Sequence, residues 1–357
     1  GKKCRPIDIF FFFLLYIYVR GGELLLFLTK LIHMHTHTHV ECFSDLGGIF
    51  TGSTEAGIMP KVAIEHTKSC CEETGLTTIK EAKPFVKWAG GKRQLIPNID
   101  KFVAIANEKE AIDTYVEPFV GGGAVLFWIL SNYDHIKQVV INDINVDLMT
   151  AYKVVRDNPK DLIEALTKLQ REYYSISEDE RRVFYSQVRN SYNKKESDPI
   201  ENTSYFLFLN KTCFNGLYRV NRKGFFNVPF GKNVNPTICD EANIDACSRL
   251  LQKVVILCGD YSQTICYASR HSFFYFDPPY RPLSKTSSFT SYSTNAFGDE
   301  EQMRLGTFCN KINDAGSSFL LSNSDVSQVN HGDSFFADLY RNFYFHRVYA
   351  RRMINSD

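Results

Sequence analysis

The feature that most constrains this chain is a repeated pattern in which a short apolar run closes in a polar or glycine-bearing loop and a segment of helical period follows. "TYVEPF" (Thr114 to Phe119) leads through "VGGGAV" into "AVLFWIL", and "KQVVIND" leads past Asn145 into a helical stretch ending near Arg156. "VVILCGD", "SFFYFDPPY" and "SFLLSNSD" read the same way, with "DEEQMRLGTFCNKI" as the helix before the last of them. Apolar runs this short, alternating with helices from Ala82 onward, predict an α/β fold around a Rossmann-like sheet. Between residues 173 and 239 the texture changes to helix, then loop and hairpin, joined by the polar "NKKESDP". We therefore expect an α/β domain over 81–172 and 240–357, with 173–239 inserted as a separate module. A chain of 357 residues, 44% of them hydrophobic, is long enough for one large core and such an insertion.

The first 80 residues do not share this pattern. "GKKCR" followed by the apolar run Ile7 to Val19 imitates a signal peptide, but no small-residue cleavage site follows and Arg20 interrupts it. The run is shorter than the about 20 apolar residues that span a bilayer, and "RGGE" separates it from "LLLFLTKLI". The alternating His33, His35, His37 and His39 lack a second ligand group at a metal-site spacing. Residues 1–80 are read as an extension outside the fold, disordered or non-native, with a membrane anchor as the alternative. The ten cysteines are scattered without a C-x-x-C pair, as in reduced thiols of a cytoplasmic protein.

Two stretches carry chemistry. In the glycine turn, Gly121 and Gly123 permit close approach of a ligand to the backbone, and Asp143, about 20 residues on, stands where ribose hydroxyls are held. Leu126 replaces the third glycine of a dinucleotide fingerprint, so the turn alone does not choose between a nicotinamide dinucleotide and S-adenosylmethionine. "WAGGKRQ" is not a phosphate loop, because Val86 and Arg93 stand where that motif needs glycine and Ser or Thr. In "YFDPPY", Asp277 follows a buried-strand pattern, at the strand end where α/β sheets bind ligands. Its carboxylate can accept one hydrogen of an exocyclic amine and the Pro278 carbonyl the other, directing the nitrogen lone pair at an electrophilic methyl group. Tyr280 can stack on the ring that bears the amine.

"KPFVKWAGGKRQL", "YVEPFVGGGAV", "LNKTCFNGLYRVNRKGFFNVPFG" and "YFDPPYRPLSKTSSFTSY" together resemble the Dam-type, D12 class adenine-specific DNA N6-methyltransferases, in that family's order. The resemblance runs from Ala82 to the C-terminus and implies that the family pattern continues past "RRMINSD". It implies an S-adenosylmethionine-dependent methyltransferase sheet, with the inserted module recognising DNA. Trp88, Lys92, Glu117, Phe119, Gly121 and Gly123 then belong to the cofactor pocket, Asp143 to the ribose, and Asp260 and Tyr261 to the cofactor's adenine. Asp277, also at the cofactor, forms the catalytic set with Pro278, Pro279 and Tyr280, and no metal is required.

Net charge is +1, so a polyanion must be met by a local patch. From Lys211 to Lys232 the charged residues are Lys211, Arg219, Arg222, Lys223 and Lys232, with no acid among them. Such a hairpin suits a nucleic-acid groove. By resemblance, Arg219 reads a guanine, Leu217 and Pro229 pack at a thymine, Lys87 reads an outer guanine, and Phe214 beside Asn215 stacks or intercalates. The partner is duplex DNA, with GATC as the expected site. The protein is expected to be monomeric and nucleoid-associated, with a companion restriction endonuclease possible in principle. A same-fold enzyme acting on RNA adenine or a glutamine amide, and a non-catalytic DNA-binding protein, are the alternatives.

Overall fold

The computed structural model describes residues 10–18, 82–90, 92–231, 233–281, 297–324 and 332–351. Strands β1 (Phe10–Tyr18), β2 (Thr114–Glu117), β3 (Gln138–Ile141), β4 (Val254–Ile256), β5 (Ser272–Phe276), β6 (Ser318–Ser324) and β7 (Tyr344–Arg351) form one sheet in the order β4-β3-β2-β5-β6-β1-β7. β4, β3, β2, β5 and β6 are parallel, so their carboxyl ends share one edge. The chain winds outward from β2 on one side and from β5 on the other, and ligands of open α/β sheets bind at such a switch point. The fold is thus mixed α/β with a central parallel sheet, as the apolar runs predict.

β1 departs from the sequence-based expectation. It lies antiparallel between β6 and β7, pairing Phe13 with Ser324 and Phe12 with Tyr349, so residues 10–18 belong to the sheet rather than to an extension outside it. An unbroken run of aromatic and aliphatic residues has the length and composition of a β-strand. The histidine run at 33–39 and the rest of the extension lie outside the described residues, and no described helix is long and apolar enough to cross a membrane. The described cysteines, Cys213, Cys239, Cys247, Cys258, Cys266 and Cys309, are free thiols.

The helices are α1 (Ile96–Glu110), α2 (Ala124–Asn132), α3 (Val146–Asp157), α4 (Pro159–Ser175), α5 (Glu178–Lys194), α6 (Pro199–Thr212), α7 (Glu241–Leu251), α8 (Asp299–Asp314) and the short α9 (Phe335–Leu339). Local chemistry sets their starts. Asn145 caps α3 by accepting from Leu148 N at 2.9 Å, and Ser177 with Glu180 forms a reciprocal capping box on α5. Asp198 caps α6, where Pro199 occupies the first turn. Phe274, Phe276, Leu305, Phe308, Phe319 and Leu321 pack the sheet against α8, which fixes the loop after β5 from below. The expected module boundary at 173 falls inside α4, whose Tyr173 ring meets Phe208 of α6 at 5.7 Å. Beyond α6 the chain makes an irregular hairpin, held by the isolated bridges Cys213–Phe230 and Val220–Phe226.

Candidate active site

Asp277 leaves β5 at the shared carboxyl edge, and its Oδ2 lies 2.7 Å from Lys92 Nζ. Lys92 is only 6% exposed, donates to the Gly90 carbonyl at 2.8 Å and lies 4.8 Å from the centre of the Tyr280 ring. Burial pushes the Asp277 carboxyl above the usual carboxylate range, and Lys92 opposes that rise. Pro278 is buried, while Pro279 is exposed and its carbonyl accepts from the buried Gln302 at 3.1 Å. Gln302 in turn accepts from Asn323 of β6 at 3.1 Å. A buried amide chain thus anchors the turn from α8 and β6, whereas no donor among the described residues bonds the Pro278 carbonyl.

The turn after β2 faces this one. Glu117 is buried and accepts from Tyr115 Oη at 2.8 Å; burial raises its carboxyl well above the ordinary value, the Tyr115 hydrogen bond opposing. Gly121 and Gly123 both have positive φ, +49° and +75°. A Cβ on Gly121 would fall 2.9 Å from Trp88 Cδ1, and one on Gly123 would collide with the Tyr152 hydroxyl. Asp143, just past β3, accepts from Gly121 N at 3.1 Å and from Asn145 N at 3.0 Å. Burial raises its carboxyl and these backbone donors pull it down.

Asp260, past β4, is half-exposed and pairs with Arg304 of α8, which holds its carboxyl down at about 2. Tyr261 is buried against Phe119 at 5.2 Å and Phe308 at 5.3 Å, and its hydroxyl has no partner among the described residues. Trp88, Lys92, Glu117, Phe119, Gly121, Gly123, Asp143, Asp260, Tyr261 and the 277–280 turn all line one cavity of about 2460 Å³. That exceeds the roughly 300–1,000 Å³ of a single small-molecule site.

The hairpin carries the remaining sequence-derived residues. Phe214, Asn215, Leu217, Arg219, Arg222, Lys223 and Pro229 are all exposed, and Lys87 is exposed beside them. Lys87 packs its side chain on Gly216, and the buried Asn210 locks the two segments together. Asn210 accepts from Lys87 N at 2.7 Å and donates to the carbonyls of Lys87 at 2.8 Å and Gly216 at 3.1 Å. Phe214 N donates to the Pro229 carbonyl at 3.0 Å, joining the two limbs. Arg219 is braced by Nε to Asn227 Oδ1 at 2.7 Å and by Nη2 to the Asn227 carbonyl at 3.3 Å, while the residue stays exposed. Lys232 lies outside the described residues.

Sequence reasoning missed Asn210, Gln302, Asn323, Arg304 and Tyr218. Each is an ordinary residue of a helix, strand or hairpin whose partner is distant along the chain, as with Asn210 and Lys87, 123 residues apart. The half-exposed Phe225, adjoining the cationic tip, was also passed over.

Residues 88–354 match the model of the D12 class N6 adenine-specific DNA methyltransferases. The chain is 48% identical over 277 residues to the Type II methyltransferase M.MjaIII of Methanocaldococcus jannaschii, covering 77% of this chain and 93% of that protein. It is 37% identical over 275 residues to the Type II methyltransferase M1.LlaDCHI of Lactococcus lactis subsp. cremoris, covering 76% and 88%. It is 32% identical over 279 residues to the DNA adenine methylase of Escherichia coli K12, covering 78% and 91%. With a parallel sheet, facing strand-end turns and this match across most of its length, the chain belongs to the D12 class N6 adenine-specific DNA methyltransferase family.

Proposed function

We propose that the protein transfers a methyl group from S-adenosylmethionine to N6 of adenine in duplex DNA, within GATC, after taking the base out of the helix. The observation that carries this reading is the pairing of two turns in one cavity: Asp277 to Tyr280 after β5, opposite Gly121 to Gly123 after β2. Two features suit the donor. Side chains at Gly121 and Gly123 would collide with Trp88 and Tyr152, so the turn presents bare backbone to the cavity, and the buried Tyr261 hydroxyl has no partner among the described residues. Trp88, Lys92, Glu117, Phe119, Gly121 and Gly123 would hold the methionine side, Asp143 the ribose, and Asp260 with Tyr261 the adenine. When bound, S-adenosylmethionine supplies a methyl group on a positively charged sulfur, electrophilic without further activation.

The chain's own residues then present the nucleophile. Asp277 and the Pro278 carbonyl would accept hydrogen bonds from the two amine hydrogens of the target base, so the nitrogen lone pair turns out of the ring plane. As the N6–methyl bond forms and the sulfur–methyl bond breaks, S-adenosylhomocysteine would be left with a neutral sulfur and the surplus N6 proton would pass by way of Asp277 to water. Tyr280 stacks on the base. Lys92 lies 2.7 Å from Oδ2 of Asp277 and favours the ionised carboxylate, opposing the effect of its burial. Flipping the base costs a few kcal/mol of unstacking, which Phe214 and Leu217 can offset by filling the duplex at the hairpin. Arg219 and Lys87 would read guanine edges, Pro229 would pack at the thymine, and Arg222, Lys223 and Lys232 would hold phosphates. The module over 173–239 serves as the target-recognition unit in this reading.

The test is transfer of radiolabelled methyl groups to duplex oligonucleotides that carry GATC or a single changed base pair within it. The reading requires incorporation at the adenine of GATC and a large loss at each changed site. Incorporation independent of GATC would refute the specificity, and labelling of RNA or protein in preference to DNA would refute the substrate.

A further inference from the structure

We infer that Tyr218 is a positioning residue that couples DNA reading to cofactor binding, so that duplex and cofactor each tighten the other's hold. The inference rests on the function proposed above. Tyr218 sits in the hairpin between Leu217 and Arg219, the residues assigned to base contacts, but it turns inward. Its ring stacks on Trp88 with centroids 5.3 Å apart and planes inclined by 26°. Trp88 in turn lies against the glycine turn, where Cβ atoms on Gly121 and Gly122 would fall 2.9 and 3.1 Å from it. One tryptophan is therefore packed between the hairpin and the cofactor turn, with Phe206 at its edge 6.5 Å away.

The Tyr218 hydroxyl makes a second link. It donates to Asp147 Oδ2 at 3.1 Å, in the first turn of α3. That helix is capped by Asn145, whose backbone N–H is held by Asp143 Oδ1 at 3.0 Å. Tyr192 donates to the same Asp147 carboxylate at 2.5 Å and Lys195 at 2.8 Å, so the attachment point is braced by the inserted helix α5. Both faces of the cofactor site, the Trp88 ring and the Asp143 loop, are thus reached by one hairpin side chain. The Asn210 clamp ties Lys87, the neighbour of Trp88, to Gly216 in the hairpin. A duplex that draws Leu217 and Arg219 into register therefore fixes Tyr218, and with it the walls of the cofactor site. Linkage makes the effect reciprocal.

The experiment is a calorimetric cycle on the full chain with S-adenosylhomocysteine, which cannot transfer a methyl group, and a short duplex bearing one GATC. The Kd of each is measured alone and in the presence of saturating amounts of the other, for wild type, Tyr218→Phe and Tyr218→Leu. In wild type the duplex should tighten S-adenosylhomocysteine by about 5-fold or more, and the converse factor should be equal. Tyr218→Leu, lacking ring and hydroxyl, should reduce that factor to near one. Tyr218→Phe keeps the stack and loses the Asp147 bond, and its factor should fall between the two. A general weakening of the fold does not produce this pattern, because the factor is a ratio of affinities within each variant. If Tyr218→Leu does not fold, Tyr218→Phe decides alone. A wild-type factor in Tyr218→Phe, or wild-type protein that binds both ligands without coupling, overturns the inference and leaves the proposed function standing. Wild-type protein that binds neither ligand removes both.

Discussion

The turn after β5 and the hairpin after α6 are both assigned to the DNA substrate, yet they are built in opposite ways. Asp277 and Glu117 are set with Lys92 in a low-exposure pocket where burial moves the two carboxyl groups upward, and the turn is anchored by a buried chain through Gln302 and Asn323. Arg219, Arg222 and Lys223 stand on an exposed hairpin held by isolated bridges and a few side-chain braces. In the proposed function, the difference follows from what each must do. Desolvation makes a small number of polar contacts strong enough to hold a transition state, whereas groups that meet a long polyanion must remain accessible to it. Chemistry and recognition should therefore fail separately when each region is altered.

The largest expected effect is on chemistry. Asp277→Ala removes an acceptor for the amine and should lower turnover by at least about 10²–10³-fold, the scale of losing one preorganised polar contact in a transition state. S-adenosylmethionine affinity, measured by calorimetry, should be largely retained, and substantial turnover in this variant would show that the buried turn is not the reacting centre. Lys92→Met comes next. Burial raises the Asp277 carboxyl and Lys92 lowers it, so removing the lysine raises it further. The acid limb of the pH–rate profile, where Asp277 protonates and stops accepting hydrogen bonds, should move to higher pH. Each unit by which that value passes above the assay pH lowers the rate about tenfold. A shift toward lower pH would contradict the ion pair's assigned role.

The division between what the sequence makes legible and what it hides runs along the same line. β2 to β6 are readable because buried strands need continuous apolar runs, and the 277–280 turn is readable because two prolines after such a run leave few alternatives. The cationic hairpin is readable as charge without counter-charge. Asn210 and Gln302 are not, since a buried amide inside a helix has no local signature and acquires meaning only from its partners at Lys87 and Pro279. Tyr218 is hidden for the same reason: nothing local distinguishes an aromatic that meets DNA from one that meets Trp88. β1 was misread because its apolar run stands apart from the strand–helix alternation, and only its antiparallel partners reveal its place.

Effects at the hairpin should be smaller and of a different kind. A bidentate arginine–guanine contact is worth about 1–3 kcal/mol of discrimination, and Arg219→Ala should narrow the rate difference between GATC and a site changed at its outer pair by that amount. Paired steady-state assays on the two duplexes would sharpen the comparison if they show this, and an unchanged preference would move recognition away from Arg219. The smallest effect belongs to Lys223→Ala. It should weaken binding to both duplexes alike and reduce the slope of log affinity against log salt by about 1, as read from titrations at several salt concentrations.

The central claim, that the buried turn performs the chemistry and the exposed hairpin the reading, is tested most directly by measuring two quantities on one variant. For Asp277→Ala, the Kd for a GATC duplex is compared with wild type, and N6-methyladenine formed in that duplex is quantified by mass spectrometry. The account predicts near wild-type duplex affinity with no detectable N6-methyladenine. Retained methylation, or loss of duplex binding in step with loss of product, would contradict it.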